Sequence, residues 1–433
     1  MKQRKRRITA AVLSAAMAVT AVTMLPAGQS FAANITTKEF YQSIGTQPLS
    51  QNASGVYYWV NSITEPEIRT SQPNNTSTQC MIFSSNGKYY YADQYRKIRL
   101  VGSVTYAPTP NYQPRLPLKN YTFTPSVSYY GDTYNTWAER QNVYIALMHN
   151  ATFAYDYFQY LGYSGYSYAG EVYDPDRNTS IQSSTPDSTI YLSLVDGSCP
   201  GDDKYDMSNA VAEHGLISAG AGDGVNRRFS LADTDVAVHE MTHLITQQKL
   251  GWINSSTQYG AEARNLAEAY GDIFGELSDQ TPEWKIGTDI FIGNDAQPGT
   301  YCIRDLANPN SYAQPDLEEN KRKTFYTDYN AYQRAIKSNG SLLWDAYAGS
   351  TILSHAAYVM AQSVPKDDLA KIFMNSLDKY KKYTSNTADA TFSICRKAVL
   401  DAANEYLYKK YSTRTASNYY TSIRNAFDAA HVY

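Results

Sequence analysis

"DVAVHEMTHLIT", residues 235–246, places two of the chain's six histidines four positions apart, with a glutamate directly after the first. Four residues span a little more than one helical turn, so on a helix His239 and His243 share a face and both imidazoles reach one tetrahedral metal ion. Glu240 is rotated by about 100° from His239. It then stands beside such an ion, where a carboxylate serves as general base toward a water that zinc activates. Upstream, Asp233 is a candidate N-cap, and Val236, Val238, Leu244 and Ile245 are apolar positions for burial.

A catalytic zinc takes three protein ligands and keeps a fourth position open. The stretch "EARNLAEAYGDIFGELSD", residues 262–279, offers the third, because Glu268 and Asp272 are again four apart. Leu266, Ile273, Phe274 and Leu277 give this second helix an apolar side. Glu268 is the candidate ligand, and Asp272 the carboxylate that accepts the outer ring N–H of a ligating histidine. The alternative pattern with a third histidine fails, because "HEMTHLITQQK" ends in lysine.

The rest of the chain frames this centre. Of 433 residues, 43% are hydrophobic and 18% charged, which excludes a disordered or membrane-embedded protein. A net charge of -3 gives no basis for nucleic acid or an anionic membrane as partner. Residues 1–33 read as a secretory signal peptide: basic "KQRKRR", an apolar run over residues 8–27, and the small-x-small "SFA" ending at Ala32. The expectation is a secreted (extracellular) monomer with no stable membrane association. Cys80, Cys199, Cys302 and Cys395 form no CxxC pair, which argues against a cysteine-bound zinc. One or two disulfides in any of three pairings stay open. The 40 tyrosines against 13 phenylalanines supply apolar area with a polar tip, suited to half-exposed strands and binding grooves.

From residue 34 to about 135, "GVYYWVN", "KYYYADQY" and "RLVGSVTYA" read as short strands between turn-rich stretches. "YNTWAERQNVYIALMHNATFAYDYFQYLG" carries the three-and-four spacing of a helix, a second β-type or irregular region follows, and after residue 231 the chain is mostly helical. The pattern predicts an α+β protein of two lobes. Residues 34–258 form the β-rich lobe ending in the HExxH helix, residues 259–433 the helical lobe, and the site lies in the cleft between them.

Several segments now stand in one order: "SNAVAEHGLISAGAGDGVNRRFSLADTDVAVHEMTH", "NLAEAYGDIFGEL", "PEWKIGTDI", "AKIFMNSLDKY" and "IRNAFDAAHVY". Through them the chain, from about Tyr134 to its end, resembles the thermolysin-like neutral zinc metallopeptidases, a gluzincin family. The resemblance implies a two-lobed fold, a Zn2+ cofactor and hydrolysis of protein or peptide substrates. It implies His239, His243 and Glu268 as zinc ligands, Glu240 as base and Asp272 as the partner of His239. Asn209 and Ala210 fall where the family binds substrate backbone on an edge strand. Arg304 in "CIRDLANP" matches the arginine that holds the carbonyl beyond the scissile bond, and Val236, Ile286 and Ile303 match the apolar pocket there. Tyr259, placed after an insertion of about five residues, matches the tyrosine that stabilises the oxyanion.

The chain departs from the family in three places. Tyr347 stands where a histidine normally donates to the oxyanion; a phenol is still a donor, and the competing reading is a wall residue. Asp235, Asp279 and Glu283 match carboxylates of the family's paired calcium site, but Lys285 and Thr288 replace two more. One Ca2+ or none is expected, with the lysine ammonium in place of the second ion's charge. The residues after the signal leave no room for both a long propeptide and the β-rich start. The rival functional reading is a zinc-containing protein without turnover that holds peptides or cell-surface polymers. Tyr347 favours that rival and an intact Glu240 opposes it.

Overall fold

The computed structural model describes residues 50–52, 55–61, 79–85, 88–93, 95–105, 122–123, 137–174, 179–196, 209–220, 230–251, 261–279, 282–291, 301–310, 324–340, 342, 345–384 and 390–433. The expected signal peptide, Cys199 and Tyr259 lie outside these residues, as does the side chain of Cys80.

In chain order the first strands are β1 (Ser50–Asn52), β2 (Gly55–Asn61), β3 (Gln79–Ser85), β4 (Lys88–Asp93), β5 (Ile98–Thr105) and β6 (Thr122–Phe123). Helix α1 (Trp137–Leu161) follows, then β7 (Tyr168–Asp174), β8 (Thr179–Asp187), β9 (Ile190–Asp196), β10 (Ala210–Glu213) and β11 (Leu216–Gly220). One sheet runs in the order β1-β2-β3-β4-β5-β9-β11-β10, with β6 against β4, while β7 and β8 pair separately. Its β5–β9–β11 centre is parallel. Parallel strands need cover on both faces, so their apolar residues run nearly continuous. Leu100, Ile190, Leu192, Leu194, Ile217 and Ala219 are accordingly buried. Helix α1 packs on this region with Tyr144, Ile145, Leu147, Met148 and Phe158 inside.

Helix α2 (Thr234–Leu250) carries the histidine pair. Asp233 caps it by accepting the Asp235 N–H, and Gly251 ends it in a left-handed conformation (φ 74°) with its N–H on Gln247 O. Every residue from Thr234 to Gln247 is buried, polar ones included. A helix buried all round lies in a core, and its polar groups then need partners inside the protein. Those partners come from α3 (Ala261–Ser278), which packs against α2. Two glycines allow the close approach. A Cβ at Gly271 would meet His239 Nδ1 at 2.6 Å, and one at Gly275 would meet the Asp235 carbonyl oxygen at 2.8 Å.

A short ribbon follows, β12 (Lys285–Ile286) paired with β13 (Arg304–Asp305), then α4 (Tyr329–Ser338), α5 (Ser350–Ala361), α6 (Lys366–Tyr383), α7 (Phe392–Lys410) and α8 (Thr413–Ala429). The expected switch from strands to helices is thus seen, and the fold is α+β. Buried apolar residues from Tyr91 to Val432 join in one cluster, so the β-rich and helical parts share a core. No helix among the described residues is long and apolar enough to cross a membrane. Cys302 and Cys395 are both buried and are not joined to each other; Cys395 Sγ lies 3.7 Å from the Tyr270 hydroxyl.

Candidate functional site

The helical spacing of His239 and His243 turns their Nε2 atoms toward each other, 3.0 Å apart, with the rings nearly perpendicular. Glu268 reaches across from α3, its Oε2 3.3 Å from His239 Nε2 and its Oε1 3.7 Å from His243 Nε2. Atoms bound at about 2.0–2.1 Å to one tetrahedral ion stand about 3.3 Å apart. Two imidazole nitrogens and a carboxylate at this spacing could supply the N2O donor set of a zinc ion with one position left open. Ligand atoms of His239, Glu240 and His243 also lie within 4.8 Å of one another, so Glu240 borders the same point. All four side chains are at most 7% exposed.

Behind the ligands runs a chain of charge. Asp272 Oδ1 lies 3.0 Å from His239 Nδ1, which fixes the ring with Nε2 facing the ion position. Asp272 also accepts Arg304 Nε and Nη2, the latter at 2.6 Å, in a buried bidentate pair. The Tyr347 ring sits over that guanidinium at 5.1 Å. Asn265 anchors the loop before α5 by donating to the carbonyls of Asp345 and Ala346 and accepting the Tyr332 hydroxyl. Asp345 in turn holds the Tyr347 N–H.

Burial and charge move the titrations apart. Burial depresses the His239 imidazolium, but the hydrogen bonds of Asp272 and Glu268 outweigh it and push its pKa up to about 10. His243, with burial dominant, falls to about 4. Burial pushes Glu240 up to about 7, partly opposed by His239 and Arg304. Glu268 and Asp272 stay below the ordinary carboxylate range despite burial, held there chiefly by His239 for Glu268 and by Arg304 for Asp272. Two carboxylates facing the His239 ring make this a point that suits positive charge, which a cation supplies. Glu240 Oε2 is buried and has no protein partner. A carboxylate oxygen with a pKa near neutrality and no competing bond is equipped to exchange a proton.

The other expected residues are spread around this centre. Asn209 accepts the Gly220 N–H, and Ala210 opens β10, an edge strand of the sheet among the described residues. Val236 and Ile286 are buried, while Ile303 is partly buried and donates its N–H to Ile286 O. His355 Nδ1 lies 2.8 Å from Leu306 O, and His214 Nδ1 lies 2.7 Å from Glu171 O. Both are engaged away from the two-histidine centre. Of the three carboxylates expected around calcium, Asp235 is buried at the start of α2, Asp279 is partly buried and Glu283 is exposed. Glu276 is the fully buried carboxylate near Asp235 and Asp279, and the sequence reading passed over it. Its only sequence signal is its position four residues after Asp272 on the same face of α3. Gly271 and Asn265 were also missed, since close approach and loop anchoring have no short-range signature.

Residues 255–432 match the family model of the thermolysin metallopeptidase alpha-helical domain. The chain is 28% identical over 283 residues to a thermolysin of Alicyclobacillus acidocaldarius subsp. acidocaldarius, covering 61% of this chain and 44% of that protein. It is 32% identical over 179 residues to the neutral protease NprE of Bacillus pumilus, covering 41% of this chain and 52% of the relative. The chain therefore spans about half the length of the curated relatives it matches, or less. In fold it is similar to the precursor of protealysin, a metalloproteinase from Serratia proteamaculans, with TM-score 0.50 and 17% identity over 76% of this chain and 88% of that one. Residues 255–432 therefore carry the thermolysin metallopeptidase alpha-helical domain, and the chain as a whole is similar in sequence to thermolysins and in fold to a protealysin precursor.

Proposed function

We propose that the chain is an exported, monomeric zinc endopeptidase whose ion is held by His239, His243 and Glu268. The observation that carries this reading is the convergence of those three side chains beside a buried Glu240 with a partnerless oxygen. When bound, zinc supplies Lewis-acid polarisation of the scissile carbonyl. The remaining chemistry belongs to the chain's own residues. Glu240 takes the proton of the attacking water on Oε2 and passes it to the leaving nitrogen, the work of a base poised near neutral pH. Asp272 keeps His239 in one tautomer and orientation. Arg304 meets Asp272 through Nε and Nη2, which leaves Nη1 for the carbonyl beyond the scissile bond. Asn209 and Ala210 pair with the substrate backbone along the open edge of β10. Tyr259 and Tyr347 donate to the oxyanion, and one calcium ion is held at the acidic start of α2.

The test is cleavage of unstructured casein by the purified mature chain, with and without a zinc chelator, beside Glu240→Gln. Chelator-sensitive cleavage that vanishes in Glu240→Gln is the expected result. Metal-dependent retention of casein with no cleavage above that variant would replace catalysis by the binding reading.

A further inference from the structure

Gln247 stands four residues after His243, as His243 does after His239, so the three share one face of α2. The first two histidines are the proposed zinc ligands, while Gln247, one turn on, reaches the turn that joins β10 to β11. Its Oε1 accepts the His214 N–H at 2.8 Å. Both residues are buried, Gln247 being 1% exposed. His214 and Gly215 are the two residues between Glu213 and Leu216, which pair as the last rung of the hairpin. Both have positive φ, 52° and 87°. Two-residue turns of that conformation favour asparagine before glycine. The histidine is therefore explained by what its ring reaches, not by the turn.

That ring ties in a third element. His214 Nδ1 lies 2.7 Å from Glu171 O of β7; a carbonyl only accepts, so Nδ1 carries the proton and donates it. On Gly215, a Cβ would stand 3.4 Å from the Thr189 carbonyl oxygen and 3.4 Å from the Tyr166 hydroxyl, so the turn is seated against both. The hairpin is thus pinned to α2 through a main-chain N–H and to β7 through an imidazole. β10 also packs against α2. The ladder to β11 sets strand against strand, but nothing in it sets the hairpin against the helix. Apolar packing is non-directional and tolerates a small slide; a hydrogen bond weakens steeply with misalignment and does not. Gln247 and His243 are about 6 Å apart along one helix, so this bond relates the strand to the histidine centre as well.

We infer that Gln247 and His214 are positioning residues, which set the slide of edge strand β10 along α2 and hence where a peptide backbone on β10 lies against the histidine centre. This rests on the endopeptidase reading above, in which Asn209 and Ala210 carry the substrate backbone. Neither positioning residue touches the reacting atoms. Loosening them displaces the peptide while leaving the ion and Glu240 in place. A shift of about 1 Å caused by a remote change costs about 100-fold in rate.

The experiment compares the zinc-loaded mature chain with Gln247→Ala, Gln247→Glu and His214→Asn. Each is assayed for kcat and KM on a short unstructured casein fragment, and for zinc content by metal analysis. Gln247→Ala is expected to lower kcat/KM by about 10- to 100-fold with zinc content unchanged. Gln247→Glu keeps an oxygen for the His214 N–H and is expected to recover most of that loss, which a change of packing volume alone would not predict. Binding of the same fragment is measured by calorimetry in the Glu240→Gln background, where adding Gln247→Ala should weaken it about tenfold. A wild type that cleaves nothing would sink the endopeptidase reading, and the binding arm would still decide the positioning role. Unchanged kcat/KM and unchanged binding in Gln247→Ala would overturn the inference, as would a loss that Gln247→Glu shares in full or that tracks zinc content. Should Gln247→Ala fail to fold, His214→Asn decides, since the turn favours that substitution and only the tie to Glu171 is removed. Cleavage and binding equal to the wild type in that variant would overturn the inference as well.

Discussion

The α2–α3 helix pair has two ends built from the same residue types with opposite electrostatics. At the histidine end, Glu268 and Asp272 meet His239 and Arg304, and both acids are held below the ordinary carboxylate range. At the other end, Asp235 and Glu276 meet Asp233 and Asp279, and both are pushed well above it. Burial is nearly complete at both ends, so burial does not account for the difference. Neighbouring charge does. One end carries its own cations and is organised before any ion arrives. At the other, the charges that act most on Asp235 and Glu276 are acids, with no cation among them.

The largest effect expected at the histidine end is catalytic. Glu240→Gln keeps the shape of the side chain and removes the base, so casein turnover should fall by about 100- to 10,000-fold. Zinc content, measured by metal analysis, should stay at one per chain. A variant that retained more than a tenth of wild-type turnover would break the proposed division between ligands and base.

Next is the cost of removing a charge from that organised end. Asp272→Ala leaves Arg304 buried without its bidentate partner and His239 without its orienting carboxylate. Stability should drop by about 3–5 kcal/mol, measured by denaturant unfolding of the metal-free chain. A loss below 1 kcal/mol would mean that the ion pair is not what organises this end.

How much of this was legible in the sequence follows from which partners are local. His239, Glu240 and His243 declare themselves because one helical turn fixes their relation. Glu268 and Asp272 do so because the same spacing recurs on a second helix. The α+β division was readable from the change of period near residue 231. Glu276 lies in the very segment that carried the resemblance, yet it stayed unassigned. Its importance depends on where the 284–287 loop returns, and no local pattern states that. Glu283, which the resemblance matches to a calcium carboxylate, has an exposed side chain in the fold. The engagement of Arg304 with both Asp272 and Tyr347 is likewise tertiary: 32 and 43 residues separate the partners along the chain.

Gly271 tests the geometry that both ends share. In Gly271→Ala the new methyl group collides with the His239 ring, so the helices must part or the imidazole must turn. The expected loss is about 1–3 kcal/mol of stability, as for other overpacked sites. Zinc affinity by chelator competition should weaken by about tenfold or more, since ligand orientation is disturbed. Gly275→Ala strikes the Asp235 carbonyl instead, and should affect calcium more than zinc. Equal effects of both substitutions on both metals would show that the two ends are not separable.

The smallest expected effect per step is a slope with pH, and its sign separates the two ends. Glu268 and Asp272 are depressed in the fold, so their stabilisation is present above the unfolded carboxylate pKa of about 4 and is lost as pH falls through the folded values. Asp235 and Glu276 are raised, so the folded state binds more protons than the unfolded chain above about pH 4. Raising the pH from there removes stability, by at most about 1.4 kcal/mol per pH unit for each proton. In zinc-loaded protein without calcium, stability should therefore decline from about pH 5 upward. Saturating calcium, bound at the start of α2 as proposed, should flatten that decline by replacing protons there with an ion. A slope that calcium leaves unchanged would mean that the protons reside elsewhere, and that the acidic end is not the ion-dependent half of the pair.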